Sequence, residues 1–270
     1  MLKSNKNTSS RPSAILNAGC VGCGGANVTI LVNFGPQPPS NRFTPPGQPD
    51  PDAHTLCLGQ CSACGLVQLV DPMPVRMVRS RYPWLTYSEP EEHLDAFVKQ
   101  LAGLVSVDAR IVGLTPADDP VLARLGRLGY AHTIRYDMRS DLGIQDPCAG
   151  LETIQAAVDD NLVHGLVDKH GRADLLILRY VLEHAHEPRR FLRSLARLLA
   201  PRGRIVIEVP DCRKFIGACD YSFVWEEHIC YYSPHTLKTL LCIEGFENVE
   251  TIIFPHVVED SLVAISQPSG

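Results

Sequence analysis

The chain has 270 residues and a formal net charge of −5, from 25 basic and 30 acidic side chains. Such a length could form one large domain or two smaller ones, each with a hydrophobic core. The basic residues form no block, which argues against a nucleic acid or an anionic membrane as partner. No apolar run approaches the roughly 20 residues that a membrane span needs. The polar start, residues 1–13, is predicted to be a disordered tail without a secretion signal.

The ten cysteines are expected to lie in a reducing compartment, the cytoplasm, where metal binding or burial is commoner than disulfide formation. Two CxxC pairs stand out, Cys20 with Cys23 and Cys61 with Cys64. Each pair places two thiolates on one tight turn, and two such turns complete a tetrahedral four-thiolate Zn²⁺ site of the structural kind. The alternative is a set of free or buried cysteines, and the paired spacing favours zinc. Cys57 is expected to pack in the core instead.

A proline-rich stretch between the two pairs, from Pro36 to Pro51, is predicted to be an irregular loop. From His93 onward, helical periods and short apolar runs alternate, which is typical of βαβ units. The sequence therefore predicts a zinc-binding module over residues 14–88 and an α/β domain over residues 89–270.

The elements predicted for the second domain follow in chain order. They are a helix at 91–105, strand 110–114, helix 120–128, strands 133–136 and 151–156, helix 160–169, strand 174–178, helix 188–199, strand 204–209, helix 234–244, and a closing antiparallel pair at 249–254 and 261–265. The helix that begins at Pro188 is the clearest of them, because proline suits a first helical turn and an apolar stripe follows at helical spacing.

Two motifs at predicted strand ends carry titratable side chains. V-L-E-H-A-H-E-P follows the strand at 174–178, and the carboxyl ends of parallel strands line the ligand crevice, so Glu183 and His184 are candidates for a site. A solvent-facing turn with a helix cap is an equally good interpretation.

W-E-E-H-I-C-Y-Y-S-P, which starts at Trp225, contains Glu227 and His228. This pair suits general-base catalysis, because imidazole titrates near working pH and a carboxylate can raise its basicity. The alternative is an aromatic lid with the pair at its edge.

The ordered set of motifs resembles the zinc-containing, S-adenosylmethionine-dependent C-methyltransferases that make branched deoxysugars. The resemblance runs from Cys20 to about Val263. It is carried by C-V-G-C, F-G-P-Q-P-P-S-N-R-F, C-S-A-C-G-L-V-Q-L, R-Y-P-W-L-T-Y-S, V-L-E-H-A-H-E-P, I-E-V-P-D and E-E-H-I-C-Y-Y-S. It implies a Rossmann-like class I methyltransferase sheet behind the zinc-binding module.

The resemblance also implies C-methylation of a nucleotide-linked keto-sugar. A base removes the proton beside the ketone, and the enolate carbon takes the methyl group. His228 would be the base and Glu227 its partner or a stabiliser of the enolate, while His184 would contact the sugar. Tyr82 or Tyr87 would reach in from the zinc-binding module.

The cofactor S-adenosylmethionine is expected at the strand ends, against Gly113, near Asp137 and beside Arg179. Here the sequence departs from the family, since G-L-T-P-A-D-D-P has a single glycine where the family has a glycine-rich turn. The family also continues into another α/β domain after the segment that resembles Val258 to Ile265, and this sequence does not.

Two other functions stay open. One is O- or N-methylation of another small metabolite with the same cofactor. The other is a non-catalytic scaffold whose cofactor loop at 113–120 has lost its function. The expected partner is a small molecule, and the sequence gives no oligomeric state.

Overall fold

The computed structural model describes residues 15–16, 19–49, 51–82 and 89–269. The predicted tail and Tyr87 lie outside these ranges. The strands are β1 (Ile15–Leu16), β2 (Val28–Gln37), β3 (His54–Cys61), β4 (Val67–Leu69), β5 (Ile111–Gly113), β6 (Thr133–Arg135), β7 (Ala173–Arg179), β8 (Leu199–Pro210), β9 (Cys230–Tyr231), β10 (Phe246–Phe254) and β11 (Ser261–Pro268). The helices are α1 (Val75–Val78), α2 (Leu94–Ala102), α3 (Asp119–Arg127), α4 (Leu151–Ala157), α5 (Asp160–His170), α6 (Pro188–Ala196), α7 (Arg213–Ala218) and α8 (Pro234–Ile243). Within the described ranges, no helix is long and apolar enough to cross a bilayer.

The larger sheet has the order β10-β11-β8-β7-β5-β6. Its strands from β6 to β8 are parallel, and β11 and β10 close it as an antiparallel pair. Apolar side chains alternate between its two faces. Ile111 and Leu175 pack with α2 and α3, whereas Val112 and Leu176 belong to the core on the other face. Helices on both faces of a mostly parallel sheet confirm the predicted α/β fold.

The smaller sheet is antiparallel and has the order β1-β2-β3-β4-β9. Its last strand comes from the second half of the chain, since Val67 pairs with Tyr231 and Gln68 with Cys230. One hydrophobic core runs through both parts and includes Leu66. The zinc-binding region is therefore fixed directly to the methyltransferase-like sheet, and the boundary near residue 88 stays a prediction.

The segment from Leu151 was predicted to be a strand, and this was wrong. It forms α4, which starts after Gly150, whose carbonyl accepts from the backbone N–H groups of Thr153 and Ile154, each at 3.1 Å. Leu151 and Ile154 are three residues apart, a spacing that places them on one face of a helix rather than of a strand.

Candidate active site

The four predicted zinc ligands lie together. Their Sγ atoms are all within 4.8 Å of one another, and the cross pairs Cys20–Cys64 and Cys23–Cys61 are both 3.6 Å apart. Sulfur atoms on a tetrahedral zinc are about 3.8 Å apart, given a Zn–S distance of about 2.3 Å. The four free thiols therefore have the composition and spacing of a closed structural zinc site. Cys57 is buried in the core and is not part of this group.

Both CxxC turns have the same backbone structure. The carbonyl of Cys20 accepts from the N–H of Gly24 at 2.8 Å, and that of Cys61 accepts from the N–H of Gly65 at 2.9 Å. The two glycines have φ values of 76° and 79°, a left-handed conformation that side chains disfavour. The glycine after each second cysteine thus lets the chain turn back behind its two thiols.

A cavity of about 490 Å³ lies at the carboxyl ends of β5, β6 and β7. Pro116 and Ala117 line it from the loop after β5, Met138 from the turn after β6, and Arg179 from the end of β7. Tyr82 lines it from the zinc-binding region. The volume is within the usual range for small-molecule sites, and the position is where an α/β sheet binds its ligand.

The loop after β5 is held by Asp118 rather than by extra glycines. One carboxylate oxygen of Asp118 accepts from the N–H groups of Leu114 and Thr115, both at 2.7 Å, and the other accepts from the N–H of Arg179 at 2.8 Å. A Cβ on Gly113 would lie 2.8 Å from the Cβ of Asp118. The glycine therefore makes room for Asp118, and it is buried in β5 outside the cavity lining.

Arg179 borders the cavity but has partners within the chain. Its Nε donates to Glu208 at 2.6 Å, and its two Nη atoms donate to the carbonyls of Ala117 at 2.7 Å and Pro90 at 2.9 Å. His93 Nε2 lies 2.8 Å from the other oxygen of Glu208. Sequence reasoning missed Asp118 and Glu208, although both belong to motifs that it had singled out.

Asp137 is exposed after β6. One of its carboxylate oxygens accepts from the N–H of Ser140 at 2.7 Å and of Arg139 at 3.1 Å. These hydrogen bonds within its own turn, that of Ser140 first, lower the pKa of Asp137. Met138, and not Asp137, lines the cavity.

A second cavity of about 180 Å³ continues from the first. Four residues line both, namely Glu89, Leu151, His184 and Glu227. His228 lines the smaller one, together with Glu183. The structure thus places the two predicted motifs, around His184 and His228, on one cavity.

The turn after β7 places Glu183 and His184 there. Tyr180 has a left-handed backbone with φ of 53°, uncommon for a non-glycine residue. Its hydroxyl lies 3.0 Å from Glu208 and 2.6 Å from the hydroxyl of Ser261. These contacts anchor the turn, and the following single-turn 3₁₀ helix (Leu182–His184) carries both side chains.

The two imidazoles are close, with ring centroids 4.8 Å apart. Burial lowers the pKa of His228 to about 4, and burial together with the nearby His228 lowers that of His184 well below the usual value. Both rings are therefore neutral at neutral pH and can accept a proton. The sequence analysis expected the neighbouring carboxylate to raise the basicity of His228. In the structure burial dominates and lowers its pKa instead.

The zinc-binding region also reaches the loop that carries Glu227. Asn41 is buried and its Nδ2 lies 3.3 Å from Oε1 of Glu227, while it also donates to the carbonyl of Val78. Next to it, the N–H of Ser40 donates to Glu226 at 2.5 Å. Sequence reasoning did not single out Asn41, although the motif S-N-R-F contained it.

Comparison with protein families settles the class of the larger domain. Residues 82–251 match the family described as "Methyltransferase domain". The chain belongs to this family. Residues 20–76 match a family described as "Putative zinc binding domain". The prediction of a methyltransferase domain behind a zinc-binding module is thereby confirmed.

Among curated proteins, the methyltransferase is similar to "C-methyltransferase NovU" of Streptomyces niveus, with 22% identity over 264 residues. The match covers 93% of this chain and 61% of that protein, so the chain spans less than two thirds of the relative's length.

Solved structures of other methyltransferases are similar to part of the chain. The 1,6-didemethyltoxoflavin-N1-methyltransferase of Burkholderia thailandensis has 14% identity and a TM-score of 0.44 over 66% of this chain and 78% of its own. The magnesium protoporphyrin IX methyltransferase of Synechocystis PCC 6803 has 13% identity and a TM-score of 0.44 over 68% of this chain and 90% of its own.

Proposed function

We propose that this chain is an S-adenosylmethionine-dependent C-methyltransferase that acts on a nucleotide-linked keto-sugar. One observation carries the proposal. Two neutral imidazoles, of His184 and His228, line a small cavity that continues into a larger one at the strand ends. Methylation at carbon needs a base for the proton beside the ketone, and this cavity contains two candidates. The similarity to a protein named as a C-methyltransferase supports the same reaction type.

The larger cavity is the proposed cofactor site. It has room for a small-molecule cofactor, with Pro116, Ala117 and Met138 as apolar walls and Arg179 at one side. S-adenosylmethionine supplies an electrophilic methyl group when it is bound there. Gly113 and Asp137 would act through the loops that carry them, since neither lines the cavity.

The residues of the smaller cavity perform the proposed acid–base step. His228 takes the proton from the carbon beside the ketone, and that carbon becomes the nucleophile. Glu227 supports His228 from the same loop, and His184 contacts the sugar. Tyr82 contributes to the wall of the larger cavity from the zinc-binding region, which excludes water from the reacting groups.

The zinc-binding region has a structural role in this proposal. Zn²⁺ held by Cys20, Cys23, Cys61 and Cys64 would fix the fold of this region, because ligation and folding of such sites are coupled. Its segment at Asn41 then contacts the loop of Glu227. The metal would thus affect the active site only indirectly, by fixing the position of the segment that contacts Glu227.

The test is methyl transfer from labelled S-adenosylmethionine to nucleotide-linked keto-sugars, with the product examined by NMR. A new methyl signal on a sugar carbon is expected. Methylation at oxygen or nitrogen would instead support the alternative reaction on another metabolite and refute C-methylation.

One observation favours a second candidate, a non-catalytic scaffold. Asp118 already accepts hydrogen bonds from the N–H groups of Leu114 and Thr115, so this part of the loop has no free donors for a cofactor. Calorimetry distinguishes the two candidates. The enzyme is expected to bind S-adenosylmethionine with micromolar or weaker affinity, a binding free energy of about −8 kcal/mol or smaller in magnitude. No heat and no thermal shift at millimolar cofactor would favour the scaffold.

A further inference from the structure

Glu183 has a buried carboxyl group. Its side chain is 2% exposed, and neither carboxyl oxygen has a hydrogen-bond partner among the residues that the structure describes. Burying such a group without a hydrogen bond costs about 1–3 kcal/mol or more. Such groups are uncommon in native proteins, and a catalytic role is one of the explanations for keeping them.

The position of Glu183 indicates where this ligand binds. Glu183 lines the smaller cavity, and its carboxyl lies within 4.8 Å of a ring nitrogen of both His184 and His228. The Nδ1 of His184 also has no partner in the described part of the chain. Three polar groups therefore converge on one spot in the cavity where the substrate is proposed to react.

The surroundings of Glu183 favour its neutral form. The cavity is lined by three further carboxyl groups, those of Glu89, Glu227 and Glu259, and by no lysine or arginine among the described residues. Burial first, and then the charges of Glu89 and Glu259, raise the pKa of Glu183 well above its usual value. A neutral carboxyl group has one O–H and can donate a hydrogen bond.

We propose that Glu183 donates a hydrogen bond from its O–H to the ketone oxygen of the substrate and so stabilises the enolate. This rests on the proposed function. When His228 removes the proton beside the ketone, the C–H electron pair forms the C=C bond and the C=O π pair moves to the oxygen. Glu183 holds its hydrogen bond to that oxygen throughout. As the carbon bonds to the methyl group and the methyl leaves the sulfonium sulfur, the carbonyl re-forms.

Three variants test this role. Glu183→Gln is neutral and keeps an N–H donor, so it is expected to keep turnover within about tenfold of wild type. Glu183→Leu has no donor and is expected to lose about 10²–10³-fold, the usual effect of removing one donor to an oxyanion. The exposed Glu187→Gln, four residues along, is the control and should match wild type. If Glu183→Gln falls as far as Glu183→Leu, an ionised carboxylate is required and the inference is wrong.

Two measurements on the whole 270-residue chain need no turnover. The infrared difference spectrum of wild type minus Glu183→Gln at pH 7 should contain the carbonyl band of a protonated carboxyl group, and its absence would refute the inference. Metal analysis should give one zinc per chain for both proteins. If wild type contains a second metal ion per chain that Glu183→Gln lacks, then Glu183, His184 and His228 form a metal site instead. Carboxylate and imidazole groups are ligands that metal sites use.

These readouts separate the two proposals. Wild type that gives the infrared band but methylates no keto-sugar would refute the proposed function. Wild type that methylates a keto-sugar without the infrared band would refute the role of Glu183 alone.

Discussion

Two groups of buried polar residues lie at neighbouring strand ends of this methyltransferase, and they differ in where their partners are. Asp118, after β5, accepts three backbone hydrogen bonds, and Arg179, at the end of β7, has ion-pair and carbonyl partners in the chain. Glu183 and His184, a few residues later, have carboxyl oxygens and a ring nitrogen without partners in the described structure. The first group stabilises the fold, and the second is suited to bind a ligand.

This difference separates stability from activity. Substitution in a satisfied group should lower the free energy of unfolding, because the remaining partners stay buried but lose their hydrogen bonds or ion pairs. Substitution in the unsatisfied group should change turnover without lowering the free energy of unfolding, because no hydrogen bond within the described residues is lost. With the proposed zinc as their partner, the four thiols would belong with the satisfied groups.

The largest effect is expected for the zinc site. Cys61→Ser should reduce the zinc content from about one per chain to none and unfold the zinc-binding region, because structural zinc binding is worth on the order of 10 kcal/mol. Cys57→Ser is the matched control, since this buried thiol lies in the same strand outside the group, and it should keep its zinc. Elemental analysis of fresh, unchelated protein measures both, and wild type without zinc would contradict the assignment.

His228→Asn should reduce turnover by about 10²–10⁴-fold, the usual contribution of a positioned base. The affinity for S-adenosylmethionine should stay nearly the same, because His228 lines the smaller cavity and not the larger one. Glu227→Gln should reduce turnover less than His228→Asn does. Steady-state kinetics and calorimetry measure the two quantities. A His228→Asn enzyme with wild-type turnover would move the search for the base to His184.

Asp118→Ala should lower the free energy of unfolding by about 3–5 kcal/mol, since it leaves three buried backbone N–H groups, those of Leu114, Thr115 and Arg179, without their acceptor. The adjacent Asp119→Ala is the control. Its carboxylate is about half exposed, and its ion pair with Arg135 should contribute about 0–1 kcal/mol. Urea unfolding followed by circular dichroism compares the two, and equal losses would remove Asp118 from the group that stabilises the fold.

The smallest effect is expected where the two regions meet. Asn41→Ala should reduce turnover by about tenfold, because one hydrogen bond to the carboxylate of Glu227 is worth about 1–3 kcal/mol. Zinc content should not change, and the exposed Asn27→Ala in the same region serves as control. If turnover is unchanged in Asn41→Ala, the contact between the regions has no part in the reaction.

Part of the fold and of the candidate site could be predicted from the sequence, because these features depend on local patterns. The spacing of the four cysteines predicted their grouping, and alternating periods predicted the α/β sheet with its closing antiparallel pair. The prediction of a strand at 151–156 was wrong, since a short apolar segment suits either a strand or a helix.

Other features depend on tertiary contacts that no local pattern encodes. Asn41 and Glu227 are 186 residues apart, and Asp118 and Arg179 are 61 apart. The burial that lowers the pKa of His228 to about 4 is likewise a property of the folded chain. Sequence reasoning could therefore name His228 as a candidate, but not the contacts that surround it.

Proton abstraction at a sugar carbon is the central claim, and deuterium exchange tests it most directly. A nucleotide-linked keto-sugar is incubated with the protein in D₂O without S-adenosylmethionine, and exchange beside the ketone is followed by NMR. The account predicts exchange with wild type and about 10²–10⁴-fold slower exchange with His228→Asn. Equal exchange by both proteins, or methyl transfer by wild type to another atom without any exchange, would contradict it.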